Sequence, residues 1–212
     1  METHQIAQLL HQTLGQDAST VHAATDALDA LSTSLPDFPF CLVSINTTTT
    51  TATGGENQGL KLAAATYLKN FVQRNCDTNH SPNSTASTEF KDALMRALLQ
   101  AEPPVLKLLI QAFRPIVAVE FVKNDSWPQL VPELREVIQD SDLVTRNAGS
   151  QWKTVNALTV FHSIIRPFQY FLNPKLPKEP VPPQLELIAQ EILVPLLALF
   201  HQLVEKETNV LT

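Results

Sequence analysis

The stretch that decides the fold is LKLAAATYLKNFVQRN, residues 60–75. Its composition favours a helix from end to end, because leucine, alanine and lysine are good helix formers. The middle of the stretch, from Ala63 to Ala65, carries no bulky side chain, so two helices can approach closely there. We therefore predict that this helix packs tightly against its neighbours. The polar step that follows, Lys69 and Asn70, is not explained by packing.

The composition favours an all-α protein and limits the kinds of partner. The chain has 212 residues, is 44% hydrophobic and contains only five glycines, so it can bury a sizeable core in one domain or in two small ones. Its net charge of -6 argues against nucleic acid as a direct partner, because phosphate binding needs a cationic face. A basic protein partner fits this charge.

Cysteine usage and hydrophobic runs indicate the compartment. Cys41 and Cys76 lie in different segments and in no metal-binding motif, which is typical of small buried residues in a reducing compartment. The N-terminus has no basic start followed by an apolar run, so we expect no secretory signal. No segment reaches about 18 uninterrupted apolar residues, so we expect no membrane insertion.

Segments of helical periodicity follow one another along the chain, and polar breaks separate them. Three breaks are long: a low-complexity loop over residues 46–59, a polar loop over 76–88 and a proline-rich loop over 173–183. No segment alternates convincingly as a strand would. The apolar run FCLVSI, residues 40–45, is assigned to a helix because its neighbours are helices.

Prolines and a capping motif predict details within the helices. Pro115 and Pro195 each lie inside a periodic segment, where proline removes one backbone hydrogen bond and predicts a kink. Ser126 with Gln129 three residues later fits a capping box. This motif predicts a helix that begins at Trp127.

The spacing of the helices predicts a repeat architecture. Short and longer helices alternate, and the longer ones begin near residues 20, 59, 103 and 150. A helix-pair repeat of roughly 40–47 residues is the HEAT/armadillo period. We therefore predict an all-α, HEAT/armadillo-type α-α superhelix of about four and a half helix pairs, each burying its faces on its neighbours. A plain helical bundle is the alternative, but it does not require the alternation.

Four stretches in order resemble the N-terminal domain of the importin-β (karyopherin) family. They are QIAQLLHQTLGQDASTVHAATDALDALSTSLPDFPFCLVSI (5–45), LKLAAATYLKNFVQRN (60–75), DSWPQLVPEL (125–134) and SQWKTVNALTVFHSIIRPF (150–168). The second resembles a family signature in which small residues precede an LKN step, and the third resembles a WPEL-P signature. The later stretches are most similar to receptors of the importin-11 type.

The resemblance implies a nuclear transport receptor that shuttles between nucleus and cytoplasm through the nuclear pore. It implies that inner helices of the N-terminal repeats bind the small GTPase Ran in its GTP form, and that Ran releases import cargo. It also implies contacts with phenylalanine-glycine nucleoporins. Receptors of this family are several times longer, so we expect 1–212 to be a fragment or shortened form without most of the cargo surface.

The resemblance also suggests partner-binding residues, and it implies that the helices of Asp26, Asp29, Lys69 and Asn70 lie on the inner surface. The candidates for contact with Ran are Asp26, Asp29, Lys69, Asn70 and Arg166. An acidic pair suits a basic partner, and the alternative for Asp26 and Asp29 is an ordinary solvated helix face. The alternative is a bond to the backbone for Asn70, solvation for Lys69 and a helix cap for Arg166. Trp127 and Pro128 are interpreted as a structural signature, with Trp127 in the core.

No catalytic, metal or cofactor site is predicted. The sequence has no HExxH and no GxSxG motif, and Gly54-Gly55 lacks the lysine and the spacing of a phosphate loop. His201 and Glu205 are four residues apart, but two candidate ligands do not make a metal site, and His162 is expected in the core. We therefore expect a binding protein and not an enzyme. A HEAT scaffold or adaptor without a GTPase partner is the alternative, and a helical-bundle enzyme is a more distant one.

Overall fold

A computed structural model describes residues 2–47, 54–76, 83–141, 151–172 and 180–210 of the chain. The ordered elements in these ranges are helices, and none of the described residues forms a strand. They are α1 (Glu2–Thr13), α2 (Ala18–Ser34), α3 (Phe38–Thr47), α4 (Gly54–Asn75), α5 (Asn83–Ala86), α6 (Thr88–Gln100), α7 (Pro103–Val117), a π-helix (Ala118–Lys123), α8 (Leu130–Gln139), α9 (Gln151–Ile165), a 3-10 helix (Arg166–Leu172) and α10 (Pro183–Val210). The all-α class and the helical assignment of residues 40–45 are confirmed.

The helices form pairs within two compact units, Met1–Val119 and Glu120–Thr212. In the first unit the pairs are α1 with α2, α3 with α4, and α6 with α7. The first helices of these pairs pack in succession, α1 on α3 and α3 on α6, and the second helices α4 and α7 pack extensively on each other. The predicted alternation of a shorter first helix and a longer second helix is present in each pair.

The alanine-rich middle of α4 is a packing surface, as predicted. Ala64 and Ala65 are completely buried, and α4 packs against α3 on one side and α7 on another. Small side chains let the helix backbones approach at these positions. About two turns further on, the ring of Phe71 packs against that of Phe38 from α3, with centroids 5.9 Å apart.

Two of the predicted loops are shorter than expected. Helix α4 begins at Gly54, inside the loop predicted over 46–59, and residues 48–53 lie outside the described residues. A contact distant in sequence stabilises this early start, because Gln58 Nε2 donates a hydrogen bond of 2.9 Å to Glu102 Oε2. The loop predicted over 76–88 contains α5 and the start of α6, and its residues 77–82 are also undescribed.

A π-helix and a tight turn open the second unit. The segment Ala118–Lys123 is π-helical and follows the helix that contains Pro115. Where the chain turns out of it, Asp125 adopts a φ of 51°, the left-handed region that short polar residues tolerate best after glycine. Ser126 N then donates to Glu120 O at 2.7 Å.

This turn corrects the predicted capping box. The Ser126 hydroxyl donates to Glu120 O at 2.9 Å and lies 2.6 Å from Glu120 Oε2, so it serves the preceding helix and not the following one. Helix α8 begins at Leu130 and not at Trp127, and Gln129 makes no side-chain cap bond. The Ser126 hydroxyl, which the local motif assigned to a helix cap, instead bonds to the buried side chain of Glu120 six residues earlier.

Helix α8 organises the second unit, because both α9 and α10 pack against it. The guanidinium of Arg135 on α8 pairs with Glu191 on α10, with Nη1 and Oε2 2.6 Å apart. Helix α10 begins at Pro183, the last residue of the loop predicted over 173–183, of which 173–179 are undescribed. Proline is well suited to a first helical turn, where its missing N–H costs nothing.

Helix α10 is unusually apolar for an incompletely buried helix. Its segment Pro183–Lys206 is long and apolar enough to cross a membrane by length and composition alone, and only 17% of its most apolar window is buried. Such a result is weak evidence, since core helices of other proteins pass the same test. Pro195 lies within α10, which continues on both sides of it.

Candidate partner-binding surface

Helix α2 presents both predicted aspartates to solvent. Ala24 and Leu28 are buried against the rest of the unit, and residues two and five positions after Ala24 fall on the opposite side of a helix. Asp26 and Asp29 lie there, and both are exposed. Within the described residues Asp26 has no ion-pair partner, so its charge is available to an approaching molecule.

A capping carboxylate fixes the start of α2. Asp17 accepts a hydrogen bond of 3.0 Å from Thr20 N and one of 2.8 Å from Ser19 Oγ, and the Thr20 hydroxyl also donates to it. The Thr20 and Ser19 hydroxyls, with the Thr20 N–H, lower the pKa of Asp17 from 3.8 to about 2. The carboxylate therefore stays charged, and its negative charge stabilises α2 by interacting with the positive N-terminal end of the helix dipole.

Arg74 joins the exposed ends of α2 and α4. Its Nη1 lies 3.6 Å from Asp29 Oδ1, with about half of each side chain exposed, and its Nε donates to Asn70 O at 3.3 Å. Arg74 lies in the last turn of α4, where a cation interacts favourably with the helix dipole. Its pairing with Asp29 was not foreseen, because no local pattern relates residues so far apart in sequence.

The structure thus brings three of the candidate residues near one another in the first unit. Arg74 contacts both the Asp29 carboxylate and the backbone carbonyl of Asn70, and Lys69 is adjacent to Asn70. The side chains of Lys69 and Asn70 are half-buried. They are therefore partly accessible and partly held by their surroundings, as residues at the edge of a binding surface often are.

The net charge of the chain originates in its first 60 residues. This stretch contains six acidic residues and no lysine or arginine, so its formal charge equals the -6 of the whole chain. The acidic residues are Glu2, Asp17, Asp26, Asp29, Asp37 and Glu56. The remaining residues contain equal numbers of acidic and basic side chains. The first 60 residues, which include α1, α2 and α3, therefore supply the negative field that a basic partner would meet.

The remaining candidates lie in the second unit. Arg166 is exposed at the start of the 3-10 helix. Trp127 is 2% exposed, whereas Pro128 is exposed. His162 is also exposed, so its expected place in the core is wrong: it lies on the exposed side of α9 together with Val155 and Thr159.

No arrangement typical of metal chemistry occurs among the described residues. No group of three or more potential metal ligands is found in the described part of the chain. His201 and Glu205 are 3.6 Å apart and exposed on α10, which is a surface pair and not a site. A surface cleft of the first unit is lined by residues that include none of the candidates: Pro36, Asp37, Phe40, Ser84, Ser87 and Glu89.

Comparison with known proteins identifies the fold. No protein-family model matches the sequence, and no characterised protein matches it significantly. Among solved structures, the chain is similar to the exportin Cse1 in its cargo-free, cytoplasmic state, with a TM-score of 0.75 and 20% sequence identity. The similarity covers 97% of this chain and 20% of the exportin, so the chain spans about a fifth of its length.

The fold is an all-α superhelix of helix pairs. The predicted class is therefore confirmed, since the likeness to the exportin extends over nearly the whole chain. Identity at this level is evidence for the fold, and function has to be argued from sites.

Proposed function

We propose that this chain belongs to the importin-β family and forms the N-terminal, Ran-binding region of a nuclear import receptor, most similar to the importin-11 type. The proposal draws on two independent supports. One is the likeness of 97% of the chain to an exportin fold, and the other is the set of ordered signatures at residues 5–45, 60–75, 125–134 and 150–168. The protein then shuttles between nucleus and cytoplasm through the nuclear pore.

The observation that carries the Ran-binding part of the proposal is the surface shared by α2 and α4. Both are second helices of their pairs, and the Arg74–Asp29 pair links their exposed sides at 3.6 Å. Asp26 on this surface has no ion-pair partner among the described residues. It lies within the most acidic part of the sequence. In this proposal Asp26, Asp29 and the Lys69–Asn70 step contact Ran in its GTP form. Arg166, which lies in the second unit, is a separate candidate contact.

In the proposed mechanism Ran-GTP and cargo bind preferentially to different states of the receptor, so that binding of one weakens binding of the other. Ran-GTP releases cargo only if it binds the cargo-free state better than the cargo-bound state, because a ligand with equal affinity for both shifts nothing. Since the chain spans a fifth of the exportin's length, we assign cargo contact to repeats outside it. Phenylalanine-glycine nucleoporins are the third class of partner.

The direct test measures binding of the chain to Ran loaded with a non-hydrolysable GTP analogue or with GDP. We expect binding to the GTP form and much weaker binding to the GDP form. Asp26→Lys should weaken binding about five- to tenfold at low salt, because a charge at the rim of an interface acts on encounter and is screened by salt. This variant leaves the Asp29–Arg74 pair intact, so it separates a lost contact from a disturbed fold.

A matched control is Asp92→Lys, which makes the same charge change at an exposed position of α6, the first helix of the α6–α7 pair. It should leave Ran binding unchanged. If the chain does not discriminate between the nucleotide states, the transport function is refuted and the HEAT scaffold without a GTPase partner takes its place. If Asp26→Lys and Asp92→Lys behave alike, α2 does not contact Ran, whatever the chain binds.

A further inference from the structure

A row of five exposed side chains runs along α9 and into the 3-10 helix that follows it. The five are Trp152, Val155, Thr159, His162 and Arg166. Their spacing of three, four, three and four residues places them on one side of a helix. Trp152 and Val155 are 54% and 43% exposed, so one end of the row is apolar and the other carries His162 and Arg166. We call these five residues the α9 row.

The α9 row lies opposite the side of α9 that forms the core. Ala157, Val160 and Ile164 are buried, and α9 packs on α8. At about 100° per residue these three positions lie nearly half a turn away from the row. The helix is thus already formed and oriented, so a ligand that binds the row does not have to induce its folding.

The composition of the α9 row does not suit a seam with a further helix of a solenoid. An apolar helix packed on the row would leave the Arg166 charge and the His162 ring buried without partners, which is costly. A different row of α9 suits a neighbouring helix, since Leu158, Phe161 and Ile165 are half-buried. Each of them precedes a residue of the α9 row by one position and is therefore rotated from it by about 100°. The α9 row is thus left to a partner that approaches from solvent.

The sequence around the α9 row is basic, although the chain as a whole is acidic. From Leu143 to Lys178 it contains five lysines and arginines and no aspartate or glutamate, whereas the net charge of the chain is -6. Arg166 makes no ion pair with the described residues, and His162 offers an N–H donor in either protonation state. This end of the row therefore favours carboxylates, and the Trp152 end favours an apolar side chain.

We propose that the α9 row is a docking site for an acidic linear segment of a partner protein that also carries an apolar residue. The apolar end of the row and its His162–Arg166 end are about 16 Å apart along the helix. An extended peptide covers this distance in about five residues. The partner segment therefore has an apolar residue about five positions from a pair of carboxylates. Arg166 is the only candidate Ran contact in the row, so the proposal stands whether or not the chain binds Ran.

Two other classes of partner fit the α9 row less well. A lipid surface needs an apolar face along a whole helix, but the row is apolar only over its first turn. Nucleic acid needs several cations that follow its phosphates, and Arg166 is the only lysine or arginine in the row. One guanidinium beside an imidazole instead matches a pair of carboxylates, which accept charge-assisted hydrogen bonds.

The probe is a fluorescein-labelled synthetic peptide in which a leucine is followed, five positions later, by two glutamates among glycines and serines. Fluorescence anisotropy at about 0.15 M salt should give a Kd on the order of 100 μM. The same peptide with glutamines in place of the glutamates should bind at least about tenfold more weakly. The unlabelled peptide should also protect Trp152 from acrylamide quenching, since the other tryptophan, Trp127, is 2% exposed and hardly quenched without it.

Three variants of the full chain locate the site. Arg166→Glu should weaken peptide binding about tenfold, because it sets a carboxylate against the glutamates. Lys153→Glu is the matched control, since it makes the same charge change at an exposed position of α9. Lys153 is off the row and about 20 Å from Arg166 along the helix, beyond the screening length of about 8 Å, so this variant should bind within about twofold of the wild type. Trp152→Ala should weaken binding about fivefold by removing the apolar contact. Circular dichroism checks its fold, and Trp152→Gln replaces it if it is unfolded.

Several results would overturn the proposal. They are absence of binding at about 1 mM, ten times the expected Kd, equal affinity for the glutamate and glutamine peptides, and equal losses in Arg166→Glu and Lys153→Glu. Phosphatidylserine vesicles and a single-stranded oligonucleotide are tested alongside, and tighter binding of either than of the peptide assigns the row to lipid or to nucleic acid. Self-association in sedimentation velocity that Trp152→Ala abolishes assigns the row to a second copy of the chain.

Discussion

Replacing Ala64 with leucine tests whether the narrow middle of α4 sets the spacing of the helices. Ala64 has no exposed surface, and neither do its neighbours Ala65 and Leu68. The larger side chain therefore has no solvent to enter and must displace packed atoms. Overpacking of this kind costs about 1–3 kcal/mol. With a urea m-value of about 2 kcal/mol/M, a cost of about 2 kcal/mol lowers the unfolding midpoint by about 1 M.

The assay is urea unfolding of the full chain followed by far-UV circular dichroism. Ala63→Leu is the control, because Ala63 is adjacent on the same helix but partly accessible. Leucine and alanine are both good helix formers, so the control should stay within about 0.5 kcal/mol of the wild type. Equal midpoints for Ala64→Leu and Ala63→Leu would refute the close-packing argument, since burial would then make no difference.

Two further predictions concern ionic contacts. Arg135→Met removes the hydrogen bond between Arg135 and Glu191, whose side chains are 38% and 29% exposed. The free energy of unfolding, measured by thermal denaturation, should fall by about 1–2 kcal/mol. Glu136→Gln at the exposed neighbouring position should cost almost nothing, and identical melting of the two variants would show that the pair is not stabilising. Asp17 should titrate with a pKa of about 2, below its ordinary 3.8. Because the folded-state pKa is lowered, its stabilisation of α2 is present above about pH 4 and is lost as the pH falls towards 2. An NMR titration midpoint of the Asp17 carboxyl near 3.8 would contradict this.

The helices were predictable because their causes are local. The small residues of 60–75 lie within one helix and the alternation of short and long helices repeats along the chain, and the periodicity of side chains indicates which face is buried. The complete burial of Ala64 and Ala65 follows the same logic. The order of the pairs then follows from the connection between consecutive helices, which leaves few alternatives to a solenoid.

The errors and the unforeseen contact depend on bonds between different elements of the structure. Ser126 was assigned to a helix cap, but the hydroxyl bonds to Glu120 on the preceding element. The early start of α4 depends on a hydrogen bond between Gln58 and Glu102. The Asp29–Arg74 pair depends on how two successive repeats stack. A sequence pattern records the propensity of each segment, and it does not record which segments meet.

Because the net charge is concentrated in the first 60 residues, the charge distribution along the sequence is strongly asymmetric. A basic molecule whose own charges are unevenly distributed experiences a torque as well as an attraction, so it is oriented before contact. At physiological ionic strength the screening length is about 8 Å, which confines this turning to the last few layers of water. At about 0.01 M salt the same field reaches about 30 Å. Association rates with a basic partner should therefore fall steeply with salt, while the lifetime of the complex once formed changes little.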